Sequence, residues 1–95
     1  MVFRDKYHPQ VKKDLRKIDT SVQESIKNLH IPKILDNPYS AEKLIGDLSG
    51  IYSYHFKKGN TQYRISYTID KTEKIVYILT IGKRENFYQI LRRRL

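Results

Sequence analysis

Residues 51–84 read IYSYHFKKGNTQYRISYTIDKTEKIVYILTIGKR, and this stretch decides the fold. It divides into three strands, Ile51–Lys57, Thr61–Asp70 and Lys74–Gly82, joined by two short polar connections. In the first, Tyr52, Tyr54 and Phe56 alternate with Ser53 and His55. In the second, Tyr63, Ile65, Tyr67 and Ile69 alternate with Gln62, Arg64, Ser66 and Thr68. Successive strand side chains point to opposite faces, so each strand has one apolar and one polar face. If the apolar faces share a core, Ser53, His55 and Arg64 lie together on the other side. The third strand, from Ile75 to Ile81, is apolar on both faces, as expected of a central strand covered on both sides. Counting in twos from Ile78 and Thr80 reaches Gly82 and Arg84. A histidine and two arginines on one polar face have the chemistry to bind and process a phosphate.

Outward from the sheet, Val2–His8 alternates as a charged edge strand. Pro9 suits the first position of a helix. Val11, Leu15 and Ile18 succeed it at helical spacing. Thr20 or Ser21 is placed to cap a second helix, with Gln23 or Glu24 completing a capping box. Its buried stripe is read as Val22, Ile26 and Leu29. Pro32 should break or kink it near His30, with Ile34 and Leu35 in a further short turn. Tyr39–Gly50 reads as a linker turned by Gly46 and Gly50. Phe87, Ile90, Leu91 and Leu95 mark a C-terminal amphipathic helix, with Arg92, Arg93 and Arg94 projecting to solvent.

The totals narrow the function classes. Ninety-five residues make one domain with one modest core. The absence of cysteine removes disulfides and thiolate ligands. His8 and His30 have no spaced partner, so no metal and no cofactor are expected. No run approaches the roughly 20 apolar residues of a membrane span, and the polar start lacks a signal-peptide pattern. A soluble, cytoplasmic protein is the expectation. The net charge is +9, and residues 51–95 hold ten Lys or Arg against three acids, so most of it sits in that half. A basic, tyrosine-rich sheet suits a polyanionic surface.

The order of elements and three motifs resemble the RelE/ParE superfamily of toxin–antitoxin toxins. Lys43-Leu44-Ile45-Gly46-Asp47-Leu48-Ser49-Gly50-Ile51-Tyr52 is similar to the family's K-L-x-G-x-L-x-G-x-Y segment. Tyr63-Arg64-Ile65-Ser66-Tyr67 is similar to its Y-R-[IL]-x-Y strand, and Ile81-Gly82-Lys83-Arg84 with Tyr88 to its G-[HK]-R…Y ending. The resemblance covers nearly the whole chain. It implies an α+β fold, with two N-terminal helices on one face of a twisted, mainly antiparallel four-stranded sheet, a short C-terminal helix, and a catalytic concavity on the other face. It also implies an acidic antitoxin as partner and mRNA cleavage in the ribosomal 30S A site. That chemistry is metal-independent attack of a ribose 2′-hydroxyl on the adjacent phosphate. The alternatives within and beyond the family are gyrase inhibition without cleavage and a basic binding module without activity.

On this resemblance Arg64 matches the phosphate-binding arginine, Arg84 the leaving-group arginine, and Tyr88 a tyrosine that stacks on a base or donates a proton. The sequence departs from the best-studied branch at Ser53 and His55, where that branch carries two lysines. His55 offers an imidazole, a side chain able to act as base or acid. Glu42 stands where the YoeB-like branch has a glutamate acting as base. The residues leave open which of Glu42 and His55 takes the proton. Lys57, Lys58, Lys83 and Ser53 are expected to contact ribosomal or messenger RNA.

Overall fold

The computed structural model describes residues 3–95. Strands β1 (Arg4–Tyr7), β2 (Glu42–Lys43), β3 (Tyr52–Lys58), β4 (Thr61–Asp70) and β5 (Ile75–Lys83) form one sheet in the order β1-β5-β4-β3-β2. The sheet has five strands, not the expected four, because Glu42 and Lys43 in the linker pair with Ser53 and Tyr52. All pairings are antiparallel except β1 with β5. The expected first strand began at Val2, which lies outside the described residues. Its remainder, shortened to Arg4–Tyr7, is exposed along its length at the sheet edge.

Helix α1 (Val11–Arg16) starts two residues after Pro9, and α2 (Thr20–Ser25) begins at Thr20. The capping box does not form. The Gln23 side chain instead donates to the Leu15 and Ile18 carbonyls at 2.7 Å each, satisfying acceptors at the end of α1. Pro32 does not stop the helix. The chain widens into a π turn over Ile26–His30, where the Ile31 amide bonds the Ile26 carbonyl, and α3 (Ile31–Asp36) continues with Pro32 in its first turn. One extra residue in that turn rotates α3 relative to α2. Ile31 and Ile34 therefore face inward, while Leu29, expected in the buried stripe, is 54% exposed.

The helices cover one sheet face, where Val11, Val22, Ile26 and Ile34 pack on Ile65, Tyr67, Val76 and Ile78. His30 joins this face. Its ring stacks on Phe56 at 3.9 Å, and its Nδ1 is 2.8 Å from the Tyr54 hydroxyl. The second face carries a smaller core of Leu48, Ile51, Leu79, Phe87 and Leu91, so helix α4 (Phe87–Arg93) packs there. Gly46 and Gly50, at φ +67° and +94°, take left-handed conformations that side chains resist. They bring Leu44 back onto Ile51, with a 2.9 Å backbone bond.

A β-bulge interrupts β5. Ser66 opposes Thr80 and Tyr67 opposes Ile78, which leaves Leu79 extra. Counting in twos from Ile78 therefore fails: Ile78 joins the helix-side core and Leu79 the other. Beyond Tyr7 the edge of β5 has no strand neighbour among the described residues. Its Ile81 amide donates to Asp14 at 3.1 Å, and its Leu79 carbonyl accepts from Arg94 at 2.9 Å. Arg94 also clamps Asp14 through two bonds of 2.6 and 2.7 Å, with both side chains about nine-tenths covered. Arg94 is thus a buried anchor rather than a solvent-facing cation. Arg92 stays exposed, paired with Asp47 at 2.9 Å.

This packing has two measurable consequences. Removing one partner of a buried ion pair strands the other, so Asp14→Ala should lower stability by about 3 kcal/mol or more in urea unfolding. A loss below about 1 kcal/mol would class the pair with surface salt bridges. Burial, and then the cations of Lys33 and Lys58, hold the His30 imidazole below its ordinary 6.5. The unfolded chain then binds the proton more readily. The stabilisation is full above pH 6.5 and is lost as pH falls from there through the folded value. Urea midpoints between about pH 7.5 and about pH 5.5 should fall less in His30→Gln than in wild type. Equal slopes would refute the assignment.

Candidate functional site

The polar side chains of the second face fall into three rows across the strands. The first runs Glu42, Ser53, Ser66, Thr80 by direct register. The second runs His55, Arg64, Gly82. The third joins Lys57 to Gln62, whose carbonyl accepts from the Arg84 amide at 3.1 Å. The parity argument that grouped Ser53, His55 and Arg64 therefore holds, and register adds their neighbours.

Character changes from row to row. Ser53, Ser66 and Thr80 are buried, and the Ser66 and Thr80 hydroxyls bond each other at 2.5 Å. A buried hydroxyl needs such a partner. The middle row is half-exposed. Arg64 donates from one terminal nitrogen to the Tyr88 hydroxyl at 2.5 Å, and its guanidinium carbon lies 5.2 Å from the centre of the Tyr88 ring. Tyr88 also meets Phe87 edge to face at 5.6 Å, so packing and contact with the arginine coexist. Because Arg64 is the donor, the Tyr88 hydroxyl keeps its own proton for another acceptor. Opposite Arg64 in the register, Gly82 carries no side chain, and a Cβ there would meet nothing within 4 Å.

At the other end of the row, His55 Nε2 is 3.1 Å from Glu42 Oε1 and 3.1 Å from Ser53 Oγ. Strand β2 makes this contact possible by setting Glu42 across from Ser53. A cavity of about 360 Å³ adjoins the pair, lined in part by Lys33, Glu42, Ser53 and His55. The outer row is the most open: Arg84 donates to the Gln62 side chain at 3.3 Å.

Two of the expected RNA-contacting lysines lie elsewhere. Lys58 has the opposite parity to Lys57 and donates to Ser25 on α2 at 3.0 Å. Lys83 pairs with Tyr63, so its register belongs to the helix side. Lys57 keeps an exposed place in the outer row, whereas Ser53, expected to contact RNA, is buried at 1% exposure with its hydroxyl against His55. Sequence reasoning missed Gln62, Thr80 and the Arg92–Asp47 pair that fastens α4 to the linker. Gln62 shares the parity of Arg64 and was open to detection, whereas Thr80 depends on a bulged register. The hydrogen bond from Arg92 holds the Asp47 carboxyl below its usual range. Among the described residues no cluster of His, Asp or Glu is arranged to hold a metal ion, and no helix is long and apolar enough to cross a membrane.

A family described as ParE-like toxin of type II bacterial toxin–antitoxin systems matches residues 6–92. The chain belongs to that family, within the RelE/ParE superfamily, and is a toxin of the type II class. Among solved structures it is similar to an arginine-substituted Escherichia coli toxin RelE in the free state, with a TM-score of 0.77, 23% identity, and coverage of 100% of this chain and 99% of that one. It is also similar to a chain of the RelBE2 toxin–antitoxin complex of Mycobacterium tuberculosis, with a TM-score of 0.76, 22% identity, and coverage of 88% and 100%. A chain of the intact E. coli RelBE complex gives a TM-score of 0.69 at 19% identity, covering 87% and 98%. At these identities the likeness concerns the fold. No curated protein matches the chain.

Proposed function

We propose that the chain is a ribosome-dependent mRNA endoribonuclease that arrests translation in the cytoplasm. The observation carrying this reading is the middle row, where an imidazole, a phosphate-binding guanidinium and a phenol gather on one face. Transesterification needs those three parts: a base for the 2′-hydroxyl, a cation on the phosphoryl oxygens and a proton donor for the departing oxygen. His55 or its partner Glu42 takes the first role, Arg64 the second and Tyr88 the third. Arg84, with Lys57 in the outer row, holds the phosphate on the leaving-group side. The proton leaves the 2′-oxygen, the O2′–P bond forms and the P–O5′ bond breaks. The products are a 2′,3′-cyclic phosphate and a 5′-hydroxyl. This chemistry calls on no metal or cofactor. The ribosome supplies substrate positioning, which lets so exposed a site suffice.

The charge of +9 supports an acidic antitoxin that covers this basic face and silences it. Each of the RelBE structures above contains a toxin with its antitoxin, which favours the same kind of partner.

The ParE-like description of the matching family favours a second reading, inhibition of DNA gyrase without RNA cleavage. Primer extension on mRNA bound to bacterial ribosomes separates the two. Wild type should cut at A-site codons. Arg64→Ala should reduce cutting roughly 10²- to 10³-fold, as loss of one preorganised donor to a charged transition state does. Arg84→Ala should abolish detectable cleavage. Intact mRNA with folded wild-type protein, together with gyrase inhibition that survives Arg84→Ala, would establish the second reading.

A further inference from the structure

We propose that Gln62 is a positioning residue for Arg84, whose guanidinium it holds in the outer row through an uncharged oxygen. The hold itself rests on geometry, whereas its effect on cleavage rests on the ribonuclease reading. Strand β5 ends at Lys83, so Arg84 stands in the bend that leads into α4, with an exposed side chain. A long cation in that place ordinarily samples many rotamers. Gln62, on the neighbouring strand β4, holds it twice. Its carbonyl accepts from the Arg84 amide at 3.1 Å, and its side-chain Oε1 accepts from Arg84 Nη1 at 3.3 Å. A guanidinium only donates, so the Gln62 side chain must turn its oxygen to Arg84 and its NH2 away. The contact spends a single N–H and leaves the rest of the guanidinium fork for a phosphate.

The arginines with side-chain partners among the described residues fall into two kinds. Arg92 and Arg94 pair with the carboxylates of Asp47 and Asp14, and act as fasteners. Arg64 and Arg84, the two in the rows of the second face, donate instead to the Tyr88 hydroxyl and the Gln62 amide oxygen. A carboxylate beside a cation offsets its charge and weakens its pull on an incoming anion. A neutral oxygen orients the cation and leaves that charge whole. Lys57 faces Gln62 in the register, so the amide lies between two cations of the outer row. An open cavity of about 420 Å³ adjoins the Gln62–Arg84 bond, lined in part by Asn60, Thr61, Gln62 and Arg84. It gives room for the nucleotide on the leaving-group side, where an oriented Arg84 meets the phosphate.

The test pairs the motion of one side chain with a rate. Nitrogen-15 relaxation of the arginine Nε–H groups should show Arg84 more ordered than the exposed Arg93 in the wild-type protein. Gln62→Met keeps the length of the side chain and removes the acceptor, and there Arg84 should become as mobile as Arg93. At saturating toxin, cleavage of ribosome-bound mRNA should fall about tenfold in Gln62→Met, the scale of one hydrogen bond to a charged group. The half-saturating toxin concentration should change less than about twofold, as for a contact used in the transition state. Gln62→Glu should keep Arg84 as ordered as in wild type yet cut no faster than Gln62→Met, because its carboxylate offsets the charge. An Arg84 that stays ordered in Gln62→Met would overturn the hold. Mobility without slower cutting would overturn its role in cleavage, and Gln62→Glu cutting like wild type would overturn the need for an uncharged partner. Wild-type protein that leaves mRNA whole would end the ribonuclease reading, and with it the effect on cleavage, while relaxation would still decide whether Gln62 holds Arg84.

Discussion

The carboxylate of Asp14 gathers three N–H donors, two from the Arg94 guanidinium and one from the Ile81 amide, at the point where β5 loses its outer neighbour. The chain turns from β1 into α1 there, and the free edge of β5 would otherwise leave the Ile81 amide and the Leu79 carbonyl without partners. Such groups are costly when water is excluded. The pair satisfies both, and it joins the first helix to the last. The bulge at Leu79 puts that residue on the second face, where Phe87 and Leu91 close over it. Helix α4 is thereby fixed over the sheet, and Tyr88 is brought to Arg64. The geometry of the site thus depends on an ion pair that touches none of its residues.

The sheet separates two kinds of labour. Its helix side holds the larger apolar core, with an aromatic run of Tyr39, Tyr52 and Tyr67 and the Tyr67 hydroxyl donating to the Pro38 carbonyl at 2.7 Å. Burial raises the Tyr67 phenol above its usual range, with Tyr52 and Tyr54 adding to the effect, so it remains a neutral donor. The other side is only partly covered. Helix α4 and the glycine-bounded turn occupy one end, and three polar rows grade outward from buried hydroxyls to exposed cations. A rigid floor under exposed charges suits a site whose substrate must be held without help from a deep cleft.

The alternation of Tyr52 to Phe56 and of Tyr63 to Ile69 made the three long strands and their polar faces legible, because a period of two depends only on local geometry. The same period reached Arg84, and the family resemblance supplied Tyr88 and Glu42. What escaped the sequence depended on distant partners. A two-residue strand at Glu42 has no periodicity to detect. The bulge reversed the phase of β5 in mid-strand. The π turn moved Leu29 outward, which the spacing of Val22 and Ile26 did not foretell. Arg94 sits in a run of three arginines that reads as a solvated face, and only the position of Asp14 draws it inward. The same dependence on register placed Lys58 and Lys83 away from Lys57.

The span between Asp14 and Arg94 also governs when the domain takes shape. The two residues are 80 positions apart, and β1 pairs with a strand that begins at Ile75. Contacts of such long sequence separation form late, because closing the loop precedes any gain from the contact. During synthesis, neither the parallel edge nor α4 can settle before the residues through Arg94 have left the ribosome. The arrangement that brings Tyr88 to Arg64 therefore stays unassembled on the growing chain until residues 75–94 have emerged.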